Sequence, residues 1–338
     1  MSVPFLLAPM AELSHRALRE LIEGFGGCDT YFTEMISAPG LLSGGPFEPW
    51  YMDGAPCPDR VVYQLTGAES GTLAAAAALL DRQECAGIDI NMGCSAPAIT
   101  RTGAGVRWMA SLDRAAEMVG RVRKAVKRRL SVKLRLGLTE DFDYLAAFCR
   151  RLEAEGVEFI TLHPRTGREK FKRRARWEYV EQLRKVLGIP VAGNGDIASA
   201  EELLRRAAFP CDAVMAGRLA VKAPWVFAQA RRMEAAGSAQ AAAPPQVDLE
   251  ETGLRFLELL ARHQPPEFHL SRARRFFAYY CDNFTWGTYL KNLLGREQSL
   301  VGMAAVLGTY FRDQPGEKEP SLRKEGPEVP EEAIVPPA

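Results

Sequence analysis

Pro190 to Arg218 reads PVAGNGDIASAEELLRRAAFPCDAVMAGR. Two short apolar runs, 190–192 and 213–216, flank 199–208, where apolar residues recur at three- and four-residue spacing. The reading is strand, helix, strand. Behind the two strands stand glycine-rich turns, Gly193-Asn194-Gly195-Asp196-Ile197 and Gly217-Arg218. Upstream the same alternation repeats, with further strand candidates at 5–8, 30–35, 61–65, 88–91, 132–136 and 159–163. Helical-period segments at 14–24, 69–85, 111–129, 141–156 and 177–187 separate most of them, usually ending near Gly or Pro. Eight strands alternating with helices over this length predict an α/β chain folded as a TIM (β/α)8 barrel. A doubly wound sheet is the rival, but the first βα turn carries no GxGxxG.

Further on the pattern changes. Residues 237–248, rich in Ala, Pro and Ser, read as a linker between a barrel at 1–236 and a smaller all-helical domain at 249–312. From Asp313 the chain is rich in Pro, Glu and Lys, so 313–338 is expected to form a disordered tail. With 43 basic against 42 acidic residues the net charge is +1, which excludes a polycation and confines any nucleic-acid surface to a local patch. Seven cysteines without CxxC or Cys/His spacing argue for reduced thiols and against a disulfide framework or a metal site. The start lacks a basic n-region and a cleavage site, and no apolar run approaches ~18 residues, so no membrane span is expected and the chain is expected to be cytoplasmic. It is expected to act as a monomer.

The placement of polar residues points to function. Met10, Glu34, Gln64, Asn91, Cys94, Lys133, Arg135, His163, Asn194 and Arg218 all fall at or just past a predicted strand end. In a barrel those ends converge on the face where active sites are built. The turns around Gly195 and Gly217 follow the seventh and eighth strands, where barrels commonly hold phosphate; glycines admit close N–H approach and Arg218 supplies a charge-assisted contact. Ordinary tight turns with a surface arginine are the alternative. Lys133 and Arg135 lie two apart and face the same way, so both cations point inward, which calls for an anionic or electron-rich ligand. Salt bridges to Glu34 or Asp89 are the alternative. His163, level with Lys133 and Asn194, is a candidate contact to cofactor or substrate. Cys94, in Asp89-Ile90-Asn91-Met92-Gly93-Cys94-Ser95-Ala96-Pro97, stands on a loop directly after a strand. A thiol, with its ordinary pKa of ~8.5, can donate a proton at neutral pH or act as a nucleophile; position alone leaves both open.

In this order the motifs Leu7-Ala8-Pro9-Met10-Ala11, Thr33-Glu34-Met35, Gln64-Leu65-Thr66-Gly67, Asn91-Met92-Gly93-Cys94, Lys133-Leu134-Arg135, His163-Pro164-Arg165-Thr166, Gly193-Asn194-Gly195-Asp196 and Gly217-Arg218 resemble the tRNA-dihydrouridine synthase family over roughly residues 5–230. The resemblance implies an FMN-dependent enzyme that reduces uridine in RNA to 5,6-dihydrouridine, with NADPH as reductant. Pro9, Met10 and Ala11 would line the flavin through backbone contacts. Gln64 and Lys133 would meet its ring with His163 beside it, and Asn194, Gly195, Asp196, Gly217 and Arg218 would form the phosphate end. Cys94 would be the general acid, with Glu34, Asn91 and Arg135 on the substrate side. The chain departs from the family in carrying Ser95 where proline is usual, and in having Arg101 as the nearest cation where a lysine is common.

A basic loop, with Arg165, Arg168, Lys170, Lys172, Arg173, Arg174 and Arg176, falls at the expected rim of the site and suits RNA phosphates. In the helical domain basic and aromatic residues interleave between His269 and Lys291; the aromatics are expected mostly in its core, with Arg272, Arg275 and Lys291 as RNA contacts. Two other functions compete: an FMN barrel acting on a free pyrimidine or another small enone, and a non-catalytic RNA-binding barrel. The basic rim and the extra domain weigh against the first.

Overall fold

The computed structural model describes residues 2–169, 173–237 and 246–320. Eight parallel strands, β1 (Phe5–Leu7), β2 (Thr30–Ser37), β3 (Val61–Thr66), β4 (Gly87–Met92), β5 (Arg129–Arg135), β6 (Phe159–His163), β7 (Val191–Asn194) and β8 (Ala213–Ala216), form a closed barrel in chain order. Closure is made by β8 on β1, in the register Phe5↔Val214, Leu6↔Met215 and Leu7↔Ala216. Helices cover the outside, so strands such as β3 and β4 are buried along their whole length. Several of these helices start where a short polar side chain caps the first turn: Ser111 accepts from Arg114 N, Asp141 from Tyr144 N and Ser199 from Glu202 N. Between β2 and β3, where the sequence showed no helical period, lie two short helices, Ala38–Ser43 and Glu48–Tyr51.

The inside of the barrel is divided. Leu6, Ala8, Phe32, Val62, Phe159, Ala192, Ala213 and Met215 form an apolar cluster of their own, distinct from the larger core between sheet and helices. Side chains on one face of a strand recur every second residue. The register Gln64↔Asp89↔Ser131 and Asn91↔Lys133↔Thr161 therefore places polar groups level with one another across β3 to β6. A further pair, Arg135↔His163, lies beyond them toward the C-terminal end.

Four helices, Leu249–His263, Pro266–Tyr280, Gly287–Arg296 and Leu300–Asp313, make the C-terminal domain. Its core is aromatic: Phe256 and Phe276 stack at 3.6 Å, and Tyr280, Phe284 and Phe311 continue the cluster. The first of these helices packs on the barrel helix Arg16–Glu23, and the second on Arg218–Lys222. The tail expected from Asp313 needs correction for its first residues. Asp313 ends a helix, Pro315–Glu317 form a 3-10 turn, and Glu317 accepts from the Tyr310 hydroxyl and from Thr285 N. Lys318 pairs with Glu250 at 2.6 Å and its carbonyl accepts from Leu249 N at 2.7 Å. These are polar contacts, which a reading based on scarce apolar residues misses. Most of the expected linker, and the tail beyond Pro320, lie outside the described residues. Among the described residues no helix is long and apolar enough to cross a membrane.

Candidate active site

Because all eight strands are parallel, the segments behind them open on one side, and Met10, Cys94, Lys133, Asn194 and Arg218 share that end. Cys94 is half-buried on the loop after β4. Three contacts hold the base of this loop. Asn91 Oδ1 accepts from Gly93 N at 3.2 Å and from Cys94 N at 2.9 Å, while Arg135 Nε donates to Gly93 O at 2.8 Å. On the returning limb Val106 N donates to Cys94 O at 2.9 Å. Glycine is required at 105: φ is +62°, and a Cβ there would stand 2.4 Å from the Cys94 carbonyl oxygen.

Beside this loop, beginning on the neighbouring strand β5, lies a cluster of cations. Lys133 Nζ donates to Asn194 Oδ1 at 2.9 Å, and Asn194 Nδ2 donates to Met215 O at 2.7 Å, so one asparagine links β5, β7 and β8. Burial, with Arg135 beside it, brings the Lys133 ammonium down to about 8. The two carboxylates weighed as its partners are engaged elsewhere: Asp89 accepts from Gln64 and Ser131, and Glu34 pairs with Arg272. Arg135 reaches two backbone carbonyls, of Gly93 and of Thr166 at 3.3 Å.

His163 is buried at the end of β6, and burial followed by Lys133, Arg135, Arg165 and Arg218 pushes its pKa well below the ordinary value. Arg165 Nη1 lies 2.9 Å from His163 Nε2. A guanidinium only donates, so Nε2 must accept and the proton of the neutral ring sits on Nδ1. Arg165 itself was expected on the RNA side; the structure corrects this. It is 2% exposed, and its Nη2 meets both Asp196 oxygens at 2.6 Å. The expectation failed because the arginine stands two residues past a barrel strand, where the chain still lies inside the mouth. Asp196, at φ +52°, also accepts from Ala175 N at 2.6 Å and lies 3.9 Å from half-exposed Arg218. Trp177 Nε1 donates to Gly195 O at 3.0 Å, tying the turn after β7 to the end of the basic loop.

Arg272 needs the same correction. It is 2% exposed and its Nη2 bonds Glu34 Oε2 at 2.9 Å, under Phe268 at 4.6 Å. Both members of this pair sit in the junction between domains, so Arg272 is no surface contact, and Glu34 is 4% exposed with a bond on each oxygen. Glu34 Oε1 accepts from Glu12 N at 2.6 Å, where Glu12 stands at φ +64° directly after Met10 and Ala11. Arg275 is exposed over the Tyr279 ring, and Lys291 pairs with Asp282 at 3.1 Å. Pro9, Met10 and Ala11 are at least partly accessible, with Met10 N bonded to Ser14 Oγ at 2.8 Å. Lys170 lies outside the described residues. Of the basic loop, Arg176 is held by Glu140 and Glu169 at 2.7 and 2.6 Å, whereas Arg168, Arg173 and Arg174 are exposed. Among the described residues no group of His, Cys, Asp or Glu is arranged to hold a metal ion.

A closed parallel barrel with a thiol, a neutral histidine and clustered cations at its C-terminal mouth defines a (β/α)8-barrel enzyme. The family model described as dihydrouridine synthase matches residues 6–312. A probable tRNA-dihydrouridine synthase from Rhizobium leguminosarum bv. phaseoli is 30% identical over 82% of this chain and 85% of its own length. The rat tRNA-dihydrouridine(47) synthase [NAD(P)(+)]-like protein is 31% identical over 66% of this chain and 35% of its own. Histamine dehydrogenase from Rhizobium sp. 4-9 shares the barrel fold at a TM-score of 0.51 and 12% identity, over 76% of this chain and 49% of that one. The chain belongs to the dihydrouridine synthase family, and is thus an oxidoreductase.

Proposed function

We propose that this chain reduces the C5=C6 bond of uridine in tRNA, with FMN held at the barrel mouth and NAD(P)H as the reductant. The observation that carries the reading is the gathering of Cys94, Lys133, His163, Asn194 and Arg218 at one end of the barrel. The donor chemistry fits a flavin phosphate and an electron-rich ring. Lys133, already depressed to about 8, gains from an anionic neighbour, and at Gly217 a Cβ would crowd Ala8 and Met10 at 3.3 Å, so backbone alone faces that side. Lys133 and His163 would meet the ring, Pro9 to Ala11 its edge, and Gly195, Gly217 and Arg218 the phosphate, with Asn194 orienting Lys133 and Asp196 orienting Arg165. Gln64, expected against the ring, is instead fully buried with its amide bonded to Asp89 and Asn91, and stands behind the site. Bound and reduced, the flavin supplies a hydride for C6 of the base. Cys94 delivers the proton to C5, and NAD(P)H restores the two electrons. His163, neutral and protonated on Nδ1, donates a hydrogen bond rather than a proton. Exposed Arg168, Arg173, Arg174 and Arg275 suit RNA phosphates. NAD(P) extends to this chain what the rat relative's name says of that protein.

The experiment is to purify the protein, record its spectrum, and assay an unmodified tRNA transcript and free uridine with NADPH, counting dihydrouridine by mass spectrometry. A yellow protein that modifies the transcript and loses at least ~100-fold in rate on Cys94→Ala is expected. Turnover of free uridine in preference to the transcript points to a small-molecule reductase. A colourless protein that binds RNA and cannot be reconstituted with FMN refutes the catalytic reading.

A further inference from the structure

A chain of hydrogen bonds runs from the buried middle of the barrel to the backbone of the cysteine loop. Ser131 Oγ donates to Asp89 Oδ1 at 2.6 Å, and Gln64 Nε2 donates to Asp89 Oδ2 at 2.7 Å. Asn91 Nδ2 donates to Gln64 Oε1 at 2.9 Å, and Asn91 Oδ1 accepts from Gly93 N and Cys94 N. All four side chains are buried.

We propose that Asp89 is a positioning residue for Cys94: as the acceptor at the closed end of this relay it fixes the orientation of two amides in series, and through them keeps the Asn91 oxygen on the backbone N–H groups that hold the cysteine loop. Each end of the relay has a single polarity. A backbone N–H only donates, and a carboxylate only accepts. A primary amide presents oxygen on one side and NH2 on the other, and turning it over changes its shape little. Between a carboxylate and two N–H groups, Gln64 and Asn91 fit in one sense only. Turning either over sets acceptor against acceptor or donor against donor in a dry site, at about 1–3 kcal/mol for each unmet group.

The relay works through geometry, not charge. Burial raises the Asp89 carboxyl to about 6, against the hydrogen bonds of Ser131 and Gln64 and the positive charges of Lys133 and Arg129. A proton on Oδ1 leaves Oδ2 able to accept from Gln64, and Ser131 Oγ also has Ile88 O within 3.4 Å to receive its own hydrogen. The sense of the relay therefore survives titration of Asp89. An asparagine in its place, with its oxygen toward Gln64, preserves that sense, whereas leucine removes it.

The test compares Asp89→Leu with Asp89→Asn. Amide hydrogen exchange is followed at Gly93 and Cys94, together with kcat and KM on tRNA. In Asp89→Leu, exchange at these two amides rises about tenfold or more while the other strands stay protected, and kcat falls with KM within about twofold. Asp89→Asn recovers the protection and most of the kcat. Equal exchange in the leucine variant and the wild type overturns the proposal; so does an asparagine variant that exchanges as fast as the leucine one, since charge would then be the cause. If Asp89→Leu does not fold, Gln64→Leu, which cuts the same relay one amide nearer the loop, carries the exchange test: faster exchange at Gly93 and Cys94 is expected, and exchange equal to the wild type refutes the relay. The kinetic arm rests on the role proposed for Cys94. The exchange arm does not, so the two readings fail separately.

Discussion

Replacing Lys133 by methionine should stabilise the flavin-free protein while weakening its hold on FMN. Desolvation of its half-buried position, with Arg135 beside it, brings the ammonium down from 10.5 to about 8. At about 1.4 kcal/mol per pKa unit, keeping it charged costs the fold about 3 kcal/mol at pH 7. Methionine removes that cost but also the bond to Asn194 Oδ1, leaving a buried acceptor unmet for about 1–2 kcal/mol. The balance is a gain of about 1–2 kcal/mol in flavin-free protein at pH 7, read by urea denaturation. The sign follows from the depressed pKa: the penalty is complete below 8 and gone above 10.5, where the lysine is neutral folded or unfolded. The advantage of the variant must therefore shrink as pH rises through that window. FMN affinity should drop about 10- to 100-fold with the charge-assisted contact gone. A flavin-free variant destabilised by more than about 1 kcal/mol, or an advantage that does not change between pH 7 and 10.5, would refute the reasoning.

Arg272→Met leaves Glu34 buried without its partner and should cost about 3–5 kcal/mol in chemical denaturation, with the double variant E34M/R272M recovering most of it; a double variant that loses the sum of the two single losses would mean the pair is uncoupled. Arg165→Met removes the donor to His163 Nε2, so the 15N shifts of that ring should change from a single Nδ1–H form to a mixture of tautomers. An unchanged ring signature would assign the tautomer to another contact. Replacing Arg173 and Arg174 together by glutamine should flatten the dependence of log tRNA affinity on log salt by about 1.5, and an unaltered slope would remove the loop from the RNA surface.

The alternation of apolar runs and helical-period segments carried the barrel, since buried parallel strands are continuous apolar stretches and the polar residues behind them mark their ends. The ends of β6 and β8 fell where expected, and the others shifted by at most three residues. The region after β2 resisted reading because Pro39, Pro46 and Pro49 break it into helices too short to show periodicity. Individual roles were harder to read than positions. Arg165 and Arg272 look like surface cations in sequence, and what removes them from the surface is a carboxylate distant in the chain, Asp196 for one and Glu34 for the other. Asp89 was visible only as an alternative ion-pair partner for Lys133. That Gln64 and Ser131 flank it follows from the barrel register, which no local pattern encodes.

The junction between the domains has a consequence for the mouth. Glu34 is bonded on one side to Arg272 of the helical domain and on the other to the backbone of Glu12, a residue held at φ +64° where a side chain is strained. Strain of that kind persists only when its surroundings impose it, and here the imposing carboxylate is itself fixed from outside the barrel. The segment it holds follows Pro9, Met10 and Ala11, and Met10 lies within reach of Gly217 on β8's far side. The helical domain therefore bears on the shape of the mouth at β1 through a buried ion pair and at β8 through its packing on Arg218–Lys222, while the cysteine loop at β4 is held from within the barrel by Asn91 and Arg135. Two independent supports on opposite sides of the opening let a ligand that spans it meet a surface set before binding, which lowers the ordering cost of binding.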